Sequence, residues 1–326
     1  MHQTALTTTQ LGQTGLEITR VGFGAWAIGG GDWEFGWGAQ DDEQSIAATH
    51  HALGQGINWI DTAAAYGFGH SEQVVGRALQ DVAERPYVFT KCSLLEGPGR
   101  TVAHSLKRDS ILREAENSLE RLGLDAIDLY QIHWPIPEGD IEEGWAALAE
   151  LKERGLVHHI GVSNFDVEQL RRVEQIAPVE TLQPQYSLIE RDIERELLPY
   201  AEQEGIGVIV YSPMGSGLLS GGMTRERVEG LPEDDWRGRD ERFNEPQLSR
   251  NLALVERLKA VADRYDTTPG AVAVAWALRN PAVDAAIVGF RRPDQVVPIL
   301  PAASLELSDE DVAEIEHGSG ASAPGS

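Results

Sequence analysis

The sequence predicts a closed (β/α)8 barrel, a TIM barrel, preceded by a short β-hairpin. Three observations carry that expectation. Apolar stretches near 21–24, 57–60, 87–90, 127–132, 157–162, 181–185, 207–211 and 284–288 have the length and composition of buried strands. Segments with helical apolar spacing alternate with them, near 43–54, 71–80, 109–122, 141–154, 166–176, 192–204 and 250–264, the last followed by 269–279. No central linker interrupts the alternation, and 326 residues suit one large barrel better than a doubly wound sheet. One unit over 1–317 follows, with a Gly/Ser/Ala/Pro tail at 318–326 expected to be disordered.

The elements follow in order. Residues 6–20 place Gly12 and Gly15 between short apolar–polar alternations, a hairpin signature, and are expected to lid one end of the barrel. Val21–Gly24 opens the repeating part. The run Gly22-Phe-Gly24-Ala-Trp-Ala27 fits a dinucleotide fingerprint, with Asp41 and Asp42 at suitable distance. That fingerprint needs a helix on the pyrophosphate, and the glycine- and tryptophan-rich stretch 28–39 would not form one, so a Rossmann reading is rejected. Ile57–Ile60 delivers Asp61 to a strand end. A small-residue turn then presents Tyr66, Gly67 and Gly69 swing the backbone away, and Ser71 with Glu72 is expected to cap the next helix. The strand 87–90 ends in Lys91, and 127–132 ends in His133-Trp134-Pro135. Residues 216–249 lack apolar periodicity and are too long for an ordinary connection, which reads as a lid or a disordered insertion. After the eighth strand, Gly289-Phe-Arg-Arg-Pro-Asp-Gln295 reads as a helix start with Pro293 at its first position.

Composition narrows the function. A formal charge of −25 argues against nucleic acid and anionic membranes as partners. No apolar run approaches the roughly 18 residues of a membrane span, and residues 1–9 lack a signal pattern, so a cytoplasmic protein is expected. The single cysteine, Cys92, leaves no Cys-rich metal site, and no metal is expected. Four lysines stand against 23 arginines, which draws attention to Lys91 at its strand end.

Asp61, Tyr66, Lys91 and His133 then fall on one barrel face, where barrel enzymes keep their chemistry. A hydride arriving at a carbonyl carbon leaves an oxygen that needs a proton. Tyr66 can give one as a neutral acid, Lys91 held by Asp61 is expected to tune its pKa downward, and His133 can orient the carbonyl oxygen. Trp26, Trp33, Phe68 and Trp134 promise an aromatic substrate pocket.

These residues lie within Asp61-Thr-Ala…Tyr66-Gly, Thr90-Lys91 and Gln131-Ile-His133-Trp-Pro, which resemble the Asp–Tyr–Lys–His tetrad of the aldo-keto reductases. The likeness continues through Gly161-Val-Ser-Asn-Phe165, Gln183-Pro-Gln-Tyr-Ser187, Tyr211-Ser-Pro-Met-Gly215 and Ile287-Val-Gly289…Gln295. It covers about residues 10–316, and the stretches at 26–30 and 37–42 are similar to the bacterial general-stress, broad-substrate branch. The resemblance implies NADP(H)-dependent reduction of small carbonyl compounds, and a monomer is expected. It implies that Ser163, Asn164 and Gln185 hold the nicotinamide carboxamide and that Tyr211 stacks on the ring. Ser212, Pro213, Met214, Gly215, Gly217 and Leu218 would lie along the pyrophosphate, with Gly24, Trp26, Gly289, Arg291 and Gln295 completing the cofactor set. Arg291, helped by Arg292, is expected to clamp a 2′-phosphate, because the basic residue often found at the Gln295 position is missing. The family's Glu-Asn pair is replaced by Pro298-Ile299, a departure at the adenine end. Two other readings fit parts of the pattern. One is a cofactor-holding regulatory subunit resembling potassium-channel β subunits; the other is a phosphate-sugar barrel enzyme using Arg291 and Arg292.

Overall fold

The computed structural model describes residues 6–316; the expected tail at 318–326 lies outside them. Its strands are β1 (Thr8–Gln10), β2 (Glu17–Thr19), β3 (Val21–Gly24), β4 (Trp59–Asp61), β5 (Tyr87–Cys92), β6 (Leu94–Glu96), β7 (Val102–His104), β8 (Ile127–Ile132), β9 (Val157–Ser163), β10 (Thr181–Gln183), β11 (Gly207–Val210) and β12 (Ala285–Gly289). Eight of them close a barrel in the order β10-β11-β12-β3-β4-β5-β8-β9, with every neighbouring pair parallel. The helices are α1 (Asp42–Gly54), α2 (His70–Leu79), α3 (Arg108–Leu122), α4 (Ile141–Glu153), α5 (Val167–Val173), α6 (Leu197–Glu204), α7 (Arg225–Glu229), α8 (Gln247–Arg264), α9 (Pro269–Leu278) and α10 (Asp309–Glu316). None is long and apolar enough to cross a membrane among the described residues.

Local chemistry sets several boundaries. Asp41 accepts the Gln44 N–H at 2.8 Å to start α1, and Asp166 with Gln169 forms a reciprocal capping box on α5. Gly123, at φ 67°, stops α3. The hairpin β1–β2 closes the N-terminal end of the barrel: Leu11 and Ile18 pack with Trp59, Phe89, Leu129 and Ile209, filling its interior. Trp59 donates its indole N–H to Thr19 O at 2.8 Å, and it fits because Gly22 beside it has no side chain. With that end filled, the C-terminal end is left open for chemistry.

Three details differ from the sequence reading, and the segment 216–249 takes the lid form of its two expected ones. Helix α2 begins at His70 with left-handed Gly69 before it, so Ser71 does not cap it. Ser71 is buried instead, bonded to the Thr62 hydroxyl at 2.9 Å and donating to Ala25 O. A hairpin, β6–β7, rises from the end of β5, where no strand was expected. The expected helix start at Pro293 is only a 3-10 turn, Pro293–Gln295, followed by another, Val297–Ala303. Segment 216–249 is folded across the barrel mouth. Its polar pairs Asp235–Arg237 and Asp240–Arg242, at 2.6 Å each, take the place of apolar periodicity.

Candidate active site

The barrel register brings the strand ends together. Gly24 of β3 stands opposite Asp61 of β4, Lys91 of β5 opposite Gln131 of β8, and Ser163 of β9 opposite Gln183 of β10. Asp61 and Lys91 are only 2% and 1% exposed. Two charges this deep are stable only when well bonded. Lys91 Nζ donates to Asp61 Oδ1 at 2.5 Å, to Thr62 O at 2.9 Å and to Tyr66 Oη at 3.4 Å. Asp61 Oδ2 accepts from Gln183 Nε2 at 2.8 Å, and that amide also reaches Gln131 Oε1 at 3.4 Å. Burial pushes Asp61 up and Lys91 down, and each partner opposes the other's shift.

Burial, followed by the charges of Asp61 and Tyr211, pushes the Tyr66 phenol well above the ordinary value. Burial outweighs the downward pull expected from Lys91, whose ammonium is shared with Asp61. His133 is driven well below its usual value, first by burial, then by Lys91 and His104, so it stays a neutral imidazole. Its Nδ1 is buried without a partner, and its ring meets that of Tyr66 edge-on at 5.7 Å.

A cleft of about 650 Å³ opens above this group. Every site residue expected from the sequence lines it except Lys91, Gly215, Leu218 and Phe68. Lys91 lies behind Asp61 and Tyr66. Gly215 faces Ile189, and Leu218 is buried with Met223, Phe243 and Leu248. Phe68 turns away at φ 54°, packing edge-on against Trp33 at 5.8 Å and beneath the Arg100 guanidinium. Trp26 stacks on Tyr66 at 6.2 Å and on Trp236 at 5.1 Å, while Trp134, 39% exposed, forms an outer wall.

The opposite side of the cleft presents amides and backbone. Asn164 Nδ2 donates to His133 O at 2.9 Å and to Ser163 Oγ at 3.0 Å, and its Oδ1 accepts from Tyr211 Oη at 2.8 Å. Residues Ser212, Gly215, Ser216 and Gly217 all have left-handed backbone, with φ of 53°, 55°, 56° and 88°. Backbone of this kind can aim consecutive N–H groups at an anion. The Ser216 hydroxyl is buried beside it without a partner.

Arg291 is placed differently from its expected role. Its Nε donates to Gln40 Oε1 at 2.6 Å, Nη2 to Ala39 O at 2.7 Å and Nη1 to Trp37 O at 3.3 Å, so it straps the loop 37–40 to the end of β12. Gln295 is also engaged, its Oε1 accepting the N–H groups of Arg291 and Arg292. Burial, with Arg237, Arg292 and Arg227 nearby, lowers the Arg291 guanidinium, which marks this end of the cleft as crowded with positive charge.

Several lining residues escaped the sequence reading: Gln183, Trp37, His104, Arg227, Trp236 and Arg237. Gln183 carried a usable signal, a polar amide inside an apolar strand. Segment 216–249 enters the site through Trp236, whose backbone N–H donates to Gly36 O at 3.1 Å. Arg237 lies with its guanidinium 4.5 Å from the Trp37 ring centre. Among the described residues no group of three or more His, Cys, Asp or Glu side chains is placed to hold a metal ion.

A cleft of about 650 Å³ thus stands over Asp61, Lys91, Tyr66 and His133 at the open end of the barrel. The sequence matches the model of the aldo/keto reductase family over residues 20–318, and the chain belongs to that family. It is 41% identical over 310 residues to the aldo-keto reductase YhdN of Bacillus subtilis, covering 94% of this chain and 92% of that protein. It is 36% identical over 320 residues to the NADH-specific methylglyoxal reductase of Escherichia coli, covering 92% and 94%. Among solved structures, the glycerol dehydrogenase of Gluconobacter oxydans is similar, with a TM-score of 0.86 and 36% identity over 98% of this chain and 95% of that one. The chain is therefore an oxidoreductase of carbonyl compounds.

Proposed function

We propose that this protein reduces aldehydes and ketones with NADPH, Tyr66 giving the proton and His133 holding the carbonyl oxygen. The observation that carries the reading is a neutral phenol at the cleft floor, bonded to a buried ammonium and edge-on to a neutral imidazole.

The site's donors suit a nicotinamide dinucleotide. Ser163, Asn164, Gln183 and Gln185 offer amide and hydroxyl groups for a carboxamide, and Tyr211 offers a ring face. The left-handed residues Ser212 and 215–217, with the unpartnered Ser216 hydroxyl, suit a pyrophosphate. A nicotinamide held there would supply the hydride that the carbonyl carbon needs. His133 donates a hydrogen bond to the carbonyl oxygen as negative charge builds on it. A phenol held high does not lose its proton before reaction, yet an alkoxide is more basic still, so Tyr66 gives its proton once the oxygen charges. Lys91 then stabilises the phenolate at 3.4 Å, and Asp61 with Gln183 fixes the ammonium in place. Trp26, Trp33 and Trp134 exclude water from the reacting atoms.

For the cofactor's 2′-phosphate, Arg292 is the better clamp. Among the described residues its guanidinium pairs with Asp294, an exposed pair at 3.1 Å that a dianion can displace at small cost. Arg227 and Arg237 add to the local positive field. The test is NADPH consumption by the purified protein across a panel of aliphatic and aromatic aldehydes and ketones. Turnover of several of them is expected, and no carbonyl-dependent consumption of NADPH or NADH would refute the reading.

A further inference from the structure

Behind β5 and β8 stands a buried carboxylate that the mechanism does not use. Glu114, on the inner face of α3, is 5% exposed. Its Oε2 accepts the Ser93 backbone N–H at 2.9 Å, and its Oε1 accepts the Ser110 hydroxyl at 3.1 Å. Ser93 follows Lys91-Cys92 and has φ 84°, a left-handed conformation that a serine keeps only when its surroundings hold it. From there its Oγ donates to Trp134 O at 3.2 Å and accepts the Trp134 N–H at 3.3 Å. One serine thus joins the end of β5 to the loop after β8. Both neighbouring side chains, Leu94 and Trp134, line the cleft, and His133 N–H bonds Cys92 O at 3.0 Å in the same junction.

We propose that Glu114 is a positioning residue for the carbonyl substrate, acting through Ser93 to fix two cleft walls, Leu94 and Trp134, on either side of His133. The inference rests on the carbonyl-reductase reading above. Glu114 touches neither the cleft nor the Asp61–Lys91 pair, so its influence passes through the Ser93 backbone.

The surroundings make this grip pH-dependent. Burial pushes the Glu114 carboxyl up to about 7, against the Ser93 N–H and the Ser110 hydroxyl, which favour its charged form. Glu72 of α2 raises it further, and Arg121, along its own helix, lowers it. From the strands it faces the Cys92 thiol and the Tyr130 hydroxyl. From α4, Glu143 and Glu150 are held at the surface by Lys107 and Arg108. An ionised acceptor holds an N–H more strongly than a neutral one. The walls are therefore held more firmly above pH 7 than below it.

The test is steady-state reduction of benzaldehyde at saturating NADPH, from pH 5.5 to 8.5, in wild type, Glu114→Ala, Glu114→Gln and Ser93→Ala. Above pH 8, Glu114→Ala should raise the benzaldehyde KM about tenfold with kcat within about twofold, as expected for loss of positioning without loss of proton transfer. Glu114→Gln keeps an acceptor, so it should recover much of that KM while losing the wild type's rise in KM below pH 7. Ser93→Ala keeps the carboxylate and its N–H partner but breaks the link to Trp134. It should raise KM likewise, and adding Glu114→Gln should not raise it further. It decides the matter even where Glu114→Ala fails to fold. A folded Ser93→Ala enzyme with wild-type KM overturns the proposal, as does a Glu114→Gln profile that follows the wild type's. A wild type with no carbonyl turnover overturns the functional reading together with this one.

Discussion

Replacing Lys91 by methionine removes one half of a nearly solvent-free ion pair and leaves the other half in place. Asp61 would keep the Gln183 N–H, at 2.8 Å on its far oxygen, and the Gln131 side chain, both neutral groups, and Thr62 O would lose its donor. Breaking a buried pair from one side typically costs about 3–5 kcal/mol, because the remaining charge is uncompensated. Asp61 can escape that cost by taking a proton. Its folded-state pKa is already raised by burial, and without Lys91 it rises further. A carboxyl raised in the folded state makes stability fall as pH rises from the unfolded value, near 3.9, through the folded one. The Lys91→Met enzyme should therefore lose more stability at pH 8 than at pH 5, with a steeper fall than the wild type. Adding Asp61→Asn, a neutral amide of the same shape, should restore most of the loss at pH 8 and flatten the slope. Urea unfolding followed by circular dichroism at both pH values measures this. A single variant within about 1 kcal/mol of wild type at pH 8, or a double variant no more stable than the single, would refute the reasoning.

Three further outcomes follow from polar contacts outside that core. Glu180 is half-buried, and His159, Lys152 and the Ile160 N–H overcome its burial to bring it down to about 2. A depressed carboxyl stabilises the fold above its unfolded pKa and loses that contribution as pH falls toward the folded one. Glu180→Gln should cost about 1–2 kcal/mol at pH 7 after allowing for solvent screening, with the gap to wild type closing between roughly pH 4 and 2; a gap that stays constant with pH would count against it. Arg292→Ala should lower kcat/KM for NADPH by at least about tenfold and leave NADH within twofold, since one charge-assisted contact is worth about 1.5–3 kcal/mol. Arg291→Ala should weaken both cofactors alike by releasing the loop 37–40. The opposite pattern, selectivity lost only with Arg291, would return the clamp to that residue.

What was legible in the sequence depended on periodicity and strand ends. The barrel was readable because each strand is a short apolar run and each helix carries a spaced apolar face. Asp61, Lys91 and His133 stood out because a polar side chain at the end of such a run has few structural uses. Gln183 was missed although it bonds Asp61 directly: Pro184 follows it, Gln185 lies two residues on, and both amides line the cleft. The lid was only half legible. Segment 216–249 is ordered by local pairs, Asp235–Arg237 and Asp240–Arg242, and by Trp236 on Trp26, none of which leaves a period in the sequence. The direction of the Tyr66 shift was misread because pairing of charges and depth of burial are properties of the fold. The Arg291 strap was invisible for a similar reason, since its partners lie some 250 residues away, at Trp37 to Gln40.

The proton donor is the centre of the account, and one substitution isolates it. Tyr66→Phe keeps the ring between Trp26 and His133 and removes only the hydroxyl. NADPH binding, followed by quenching of tryptophan fluorescence, should stay within about threefold of wild type. Single-turnover reduction of an aldehyde by the preformed NADPH complex should slow by about 10²–10⁴-fold, the usual worth of a general acid. A Tyr66→Phe enzyme that binds NADPH normally and keeps more than half the wild-type rate would contradict the assignment, and the proton would have to come from elsewhere.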